Sequence, residues 1–98
     1  MVALDPTRGR EIRKTRPCAV VSPDELNRHL QTVIVAPLTT RGHPYPFRLA
    51  CRFQRRDGFV VLDQLRTVDT SRLLKRLGTL SAKTLSAALR TLQEMFVE

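Results

Sequence analysis

The chain has 98 residues, 42% hydrophobic and 27% charged, the profile of one globular domain whose core needs neither disulfide nor metal. No apolar run approaches the roughly 20 residues that cross a bilayer, and the start shows no basic region leading into an apolar core, so a cytoplasmic protein without membrane contact is expected. Lys and Arg number 17 against 9 Asp and Glu, a net charge of +8, which makes a polyanion a candidate partner.

Residues 2–5 read as the end of a strand that runs into a turn at Asp5-Pro6-Thr7. Residues 7–16 hold five basic side chains, one acid (Glu11) and no apolar period, so an exposed loop is expected. Residues 18–22 (Cys-Ala-Val-Val-Ser) read as a short buried strand. Ser22-Pro23-Asp24-Glu25 carries helix-start signals, with Ser22 as cap and Glu25 completing a capping box. A short helix through about Leu30 follows.

Residues 32–39 are β-branched and apolar and predict a central strand, with Pro37 at an edge, a bulge or the strand end. A loop follows over residues 40–44. Residues 46–53 and 58–68 predict two more strands joined by a turn at Arg55-Arg56-Asp57-Gly58. Asp69-Thr70-Ser71 predicts the cap of a basic helical turn carrying Arg72, Lys75 and Arg76. Residues 77–80 return to an extended form. Ser81 predicts the cap of the last helix, in which Leu85, Ala88, Leu89, Leu92, Met95 and Phe96 recur on one face. The sum is an α+β chain: about five antiparallel strands in a small, strongly bent sheet or SH3-like partial barrel, with a C-terminal helix, as one domain over residues 1–98. Such folds hold nucleic acid between loops at one end.

Fourteen of the 17 basic residues are arginine, whose guanidinium matches phosphate oxygens in pairs. An Arg-rich basic domain is a candidate polyanion binder; a GC-rich genome would favour the same composition. Cys18 and Cys51 form no Cys-x-x-Cys pair and have no His at ligand spacing, so both read as buried free thiols. The acids are scattered, with none at metal-ligand spacing. His29 and His43 read as ordinary surface groups. No Gly-rich phosphate loop and no Gly-x-Ser-x-Gly elbow occurs. Any catalysis therefore falls to arginines, hydroxyls and isolated acids.

A series of motif blocks then stands in order. Leu4-Asp5-Pro6-Thr7-Arg8-Gly9 is followed by Glu11 and Lys14-Thr15-Arg16-Pro17. Val35-Ala36-Pro37-Leu38-Thr39-Thr40 and Tyr45-Pro46-Phe47 come next, then Val61-Leu62-Asp63-Gln64-Leu65-Arg66-Thr67-Val68-Asp69. This series, across nearly the whole chain, resembles the MazF/PemK family of toxin endoribonucleases. The resemblance implies a MazF/CcdB-like fold, a homodimer, a cognate acidic antitoxin, and cleavage of single-stranded RNA without metal or cofactor. The RNA's own 2′-hydroxyl attacks phosphorus, leaving a 2′,3′-cyclic phosphate and a 5′-hydroxyl. The resemblance puts the catalytic arginine on Arg16 and the catalytic threonine on Thr39. It also matches Glu11 and Asp63 to family acids.

These residue types suit the chemistry. A guanidinium can stabilise charge on the phosphate oxygens with two hydrogen bonds, a role for Arg16, which is also a candidate proton donor to the leaving oxygen. Thr39 can donate to the same phosphate. Glu11 is the candidate base, although it could equally pair with Arg10 or Arg13. Arg8, Arg10, Arg13 and Lys14 form either an RNA-backbone clamp or a solvated loop. Thr40, Gln64 and Arg66 are further candidate RNA contacts, and Tyr45 is a candidate stacking platform. Asp63 either reads a base edge or orients neighbouring groups, or else makes a strand-end hydrogen bond or a salt bridge to Arg66. A second reading keeps the scaffold as an inactive nucleic-acid- or protein-binding module.

Overall fold

The computed structural model describes residues 2–3, 15–42 and 46–97. In chain order these form β1 (Val2–Ala3), β2 (Thr15–Arg16), β3 (Cys18–Val20), α1 (Asp24–His29), β4 (Thr32–Thr39), β5 (Arg48–Phe53), β6 (Arg56–Val61), β7 (Arg66–Asp69) and α2 (Ala82–Met95). Turns of 3-10 helix occupy Leu62–Gln64 and Thr70–Arg72. The turn expected at Asp5-Pro6-Thr7 and most of the basic loop lie outside the described residues. Thr15 and Arg16, expected in that loop, instead pair antiparallel with Ala3 and Val2.

The long strand β4 organises the sheet. Its β-branched run forms over the expected 32–39. One edge pairs with β3, Cys18 opposite Pro37 and Val20 opposite Val35. The other edge pairs first with β7, from Thr32–Asp69 to Val35–Arg66, and then with β6 through Leu38–Val60 and Thr39–Phe59. β5 closes the order against β6. The result is a curled antiparallel half-barrel with a C-terminal helix.

The stretch 58–68, expected as one strand, is therefore two strands broken by the Leu62–Gln64 turn. Pro37 supplies the reason. Ile34 and Leu38 spend their backbone groups on the β3 side, Leu38 donating to the Pro17 carbonyl at 2.9 Å and Ile34 accepting from Val21 N at 2.9 Å. Strand alternation turns the Pro37 nitrogen to the opposite edge, where it has no hydrogen to give. The gap between the β7 and β6 pairings falls at that point, and the chain turns its corner there.

Other local forms differ from expectation. Pro23, not Ser22, is the N-cap of α1, and it makes no side-chain cap bond. Ser22 Oγ donates to Asn27 Oδ1 at 2.5 Å and accepts from Ile34 N at 3.0 Å, so the hydroxyl ties α1 to β4. The β5–β6 turn is formed by Gln54 and Arg55, both left-handed at φ 48 and 63, with Phe53 opposite Arg56. Gly58 is not in that turn. It is buried inside β6 opposite Cys51, because a side chain there would meet the Thr39 carbonyl and the Phe53 ring. β5 starts at Arg48 rather than at residue 46, after the left-handed Phe47 (φ 65).

Asp69 caps its turn as expected, accepting from Ser71 N at 2.9 Å. That turn stops at Arg72, so Lys75 and Arg76 lie beyond it.

Two apolar clusters lie on opposite faces of β4. Ala36 and Leu38 join Ala19, Val21, Val60 and Leu62 under α2, where fully buried Ala88 lets the helix approach closely. Val33 and Val35 pack with Val68 and Cys18 on the other face. Complete burial of a side chain such as Leu62 or Val35 contributes about 1.5–3 kcal/mol each. Ser81 caps α2 as expected, accepting from Thr84 N at 3.1 Å. Leu92 and Met95 pack on the core, but Leu89 is 43% exposed and Phe96 75%. The face that meets the sheet centres on Ala88, so Leu89 is rotated off it, and Phe96 lies past the last helical turn.

Candidate active site

The β3–β4 register reaches beyond its last ladder pair. The Leu38 N–H to Pro17 carbonyl bond extends it by one residue, and one further step of the same register would set Arg16 opposite Thr39. Pro17 has no N–H to return, so the ladder there is one-sided. In that register the Arg16–Thr39 step would be a non-hydrogen-bonded position, the kind at which cross-strand side chains approach most closely. Arg16 is exposed and Thr39 half-buried. On its other side Thr39 pairs with Phe59. Its hydroxyl accepts from Arg41 N at 3.1 Å and donates to Arg41 O at 3.4 Å. This local turn fixes the strand end and leaves a hydroxyl proton that is only loosely held. Thr40 follows, exposed, at the end of the strand.

Alternation along the strands puts Cys18, Val35 and Arg66 on the same face as Arg16 and Thr39. Electrostatics agree. Burial pushes the Cys18 thiol above its ordinary value, while the positive charges of Arg16 and Arg66 pull it back down. Two guanidinium groups thus act on one half-buried thiol beside the Arg16–Thr39 step.

Asp63 and Gln64 are exposed on the 3-10 corner. Asp63 Oδ1 accepts from Arg48 Nε at 3.4 Å, so its ion-pair partner is Arg48 rather than Arg66. A side chain built on Gly42 would stand 3.4 Å from Arg48 Nη1, so this guanidinium reaches from the corner to the loop after Thr39. Of the candidates read from sequence, Arg16, Thr39, Thr40, Asp63, Gln64 and Arg66 are described. Arg8, Arg10, Glu11, Arg13, Lys14 and Tyr45 lie outside the described residues.

Sequence reasoning missed an open depression of about 260 Å³ beside Thr39. Thr40, Arg41, Phe53, Gln54 and Arg56 line it. The signal available in the sequence was the basic residue directly after Thr39-Thr40 and the Arg55-Arg56 pair. Among the described residues no three His, Cys, Asp or Glu side chains gather as a metal site, and no helix is long and apolar enough to cross a membrane.

The curled sheet, its corner and the packed C-terminal helix make this a half-barrel of the MazF type. MazF of Deinococcus radiodurans superposes with a TM-score of 0.76 at 27% identity, over 96% of this chain and 87% of that one. A chain of the MazE–MazF structure from the same organism gives 0.71 at 28% identity, over 85% and 80%. In sequence, the chain is 36% identical over 67 residues to the endoribonuclease toxin MazF of Escherichia coli K12, covering 68% of this chain and 60% of that protein. It is 31% identical over 86 residues to endoribonuclease MazF of Staphylococcus saprophyticus, covering 82% and 72%. The match to the E. coli toxin thus spans less than two thirds of that relative. The PemK-like, MazF-like toxin family of type II toxin–antitoxin systems matches residues 1–96, and the chain belongs to that family.

Proposed function

We propose that this protein is the toxin of a type II toxin–antitoxin pair, a cytoplasmic endoribonuclease that cuts single-stranded RNA at preferred sequences. The observation that supports the reading is the β3–β4 register, which the Leu38–Pro17 bond carries to the residue before Arg16 and Thr39. The 2′-hydroxyl oxygen bonds to the adjacent phosphorus as the bond from phosphorus to the 5′ oxygen breaks. Negative charge builds on the non-bridging oxygens. Arg16 neutralises it through paired hydrogen bonds, and Thr39 turns its hydroxyl proton from Arg41 O to the same phosphate. Glu11 takes the 2′ proton, and the leaving oxygen gains one from the Arg16 side or from water. Charge stabilisation comes from the guanidinium and no metal is required.

Arg66, Asp63, Gln64 and Thr40 hold the strand on either side. The basic segment Arg8, Arg10, Arg13 and Lys14 clamps the backbone, and Tyr45 stacks a base. A net charge of +8 also attracts an acidic antitoxin segment, which occupies the same face and excludes RNA. The active species is a homodimer, in keeping with the family.

Incubation of the purified protein with a long single-stranded RNA in EDTA, followed by end mapping, tests this reading. Site-limited cuts with cyclic-phosphate ends, lost in Arg16→Ala, are expected. Binding without cutting would overturn it in favour of a binding module.

A further inference from the structure

We infer that the depression beside Thr39 is a second RNA subsite, which seats the sugar–phosphate unit of a nucleotide next to the cut. The inference rests on the RNA-cleaving reading and extends it past Thr39 and Thr40 to Arg41, Gln54 and Arg56, which that reading leaves unused. Arg16 and Arg66 lie on one face of β4. The depression opens round the end of the strand, towards the face under α2, and counts Leu38 and Phe53 among its walls. Thr39 is its lip. A strand whose scissile phosphate sits at Thr39 can lay its next phosphate over this edge.

The charges fit that ligand. Arg41 and Arg56 line the depression and are exposed. Neither pairs with an acid among the described residues. The two nearby carboxylates are already engaged: Asp57 Oδ1 lies 3.5 Å from Arg52 Nη1, and Asp63 meets Arg48. Two guanidinium groups that pair with no acid among the described residues, beside a concave surface, suit a phosphate, since each offers paired donors.

The floor is fixed as well. Arg52 Nη2 donates to the Arg55 carbonyl at 3.4 Å, bracing the left-handed turn that presents Gln54 and Arg56. Gln54 supplies an amide for a ribose hydroxyl or base edge, and Phe53 an apolar side. The volume, about 260 Å³, falls below the roughly 300–1,000 Å³ of enclosed small-molecule pockets. An open shelf of that size suits one unit of a chain passing across it.

The test uses an uncleavable single-stranded RNA, with a 2′-deoxy residue at the scissile step. It is made in a short form covering the cut and in forms extended by three nucleotides on either side. For the wild type, extension on one side should tighten binding by about tenfold, with a salt dependence steeper by about one phosphate contact. Arg41→Gln with Arg56→Gln should lose that gain and the added salt dependence. Lys83→Gln with Arg90→Gln, which removes the same charge from α2, should keep both.

Equal gains in all three proteins would overturn the subsite. So would weakening confined to an acidic peptide, because the arginines would then serve a protein partner. If the wild type cuts no RNA, the cleavage reading fails. The same length series in mixed-sequence RNA still decides whether this shelf holds a nucleotide.

Discussion

Gly58 lies directly against the carbonyl of Thr39, so close that a single added methyl would overlap it. The two residues sit on adjacent strands, in the ladder that joins Thr39 to Phe59. Thr39 is the candidate catalytic hydroxyl, and the missing side chain of Gly58 is what lets this end of β4 pack against β6. Gly58→Ala forces backbone to move, because neither the carbonyl nor the Phe53 ring behind it is a flexible side-chain tip. A loss of about 1–3 kcal/mol in denaturant unfolding is expected. Cleavage should fall further than that loss explains at temperatures where the variant remains folded. Full activity in a folded Gly58→Ala protein would show that the contact does not position Thr39.

Arg16 and Thr39 should not contribute equally. Removing a donor to a developing phosphate charge costs about 10²–10³ in rate, and Arg16 supplies a charged pair of donors. Arg16→Ala should therefore lower single-turnover cleavage by at least that factor. Thr39→Val should cost less, and Thr39→Ser should restore most of it, since serine keeps the bond to Arg41 N. Both groups act on one phosphate, so the double variant should lose less than the product of the single losses. Independent losses would place the two side chains on different atoms of the reaction.

Much of this arrangement was legible in the chain. β4 and α2 each carry a strong period, β-branched over 32–39 and 3.6-fold from Ser81 onwards, and both appear where that pattern puts them. The family blocks offered Arg16 and Thr39 as the candidate pair. What stayed hidden depends on contacts between distant segments. Gly58 looked like a turn residue, because the demand for a glycine comes from Thr39 on another strand. The corner at Leu62–Gln64 was hidden because the missing N–H that accompanies it belongs to Pro37. Arg41 and Arg56 share a depression only once β4 and β6 have paired. Ser22 looked like a helix cap because its tie to Ile34 is a tertiary one.

The Arg48–Asp63 contact should matter little to stability. Its separation is 3.4 Å, and both side chains are partly solvated, 20% and 38% exposed. Such pairs contribute about 0–1 kcal/mol. A double-mutant cycle with Arg48→Ala and Asp63→Ala should give a coupling within that range. The larger effect belongs to cleavage, since Arg48 reaches both the corner and the loop beside Gly42. Asp63→Ala should redistribute the cut sites on a long RNA while the melting temperature hardly moves. An unaltered cut map would remove Asp63 from RNA recognition.

Cys18 reports on Arg16 without any need for activity. Burial lifts its thiol above the ordinary 9.0, and Arg16 and Arg66 oppose that lift. The folded state therefore holds the proton more tightly than the unfolded chain does. The corresponding stability is fully present below pH 9 and declines as pH rises through the folded value. At neutral pH the native thiol should react slowly with iodoacetamide and quickly once the chain unfolds. Arg16→Ala removes a charge that favours the thiolate, so the alkylation midpoint of Cys18 should move to still higher pH. Cys51 is raised by burial alone and should not respond. Mass-resolved alkylation rates at each cysteine between pH 7 and 10 separate the two. A shift at Cys18 only would place the Arg16 charge beside the β3–β4 seam that faces Thr39, whereas no shift at either site would put its guanidinium elsewhere.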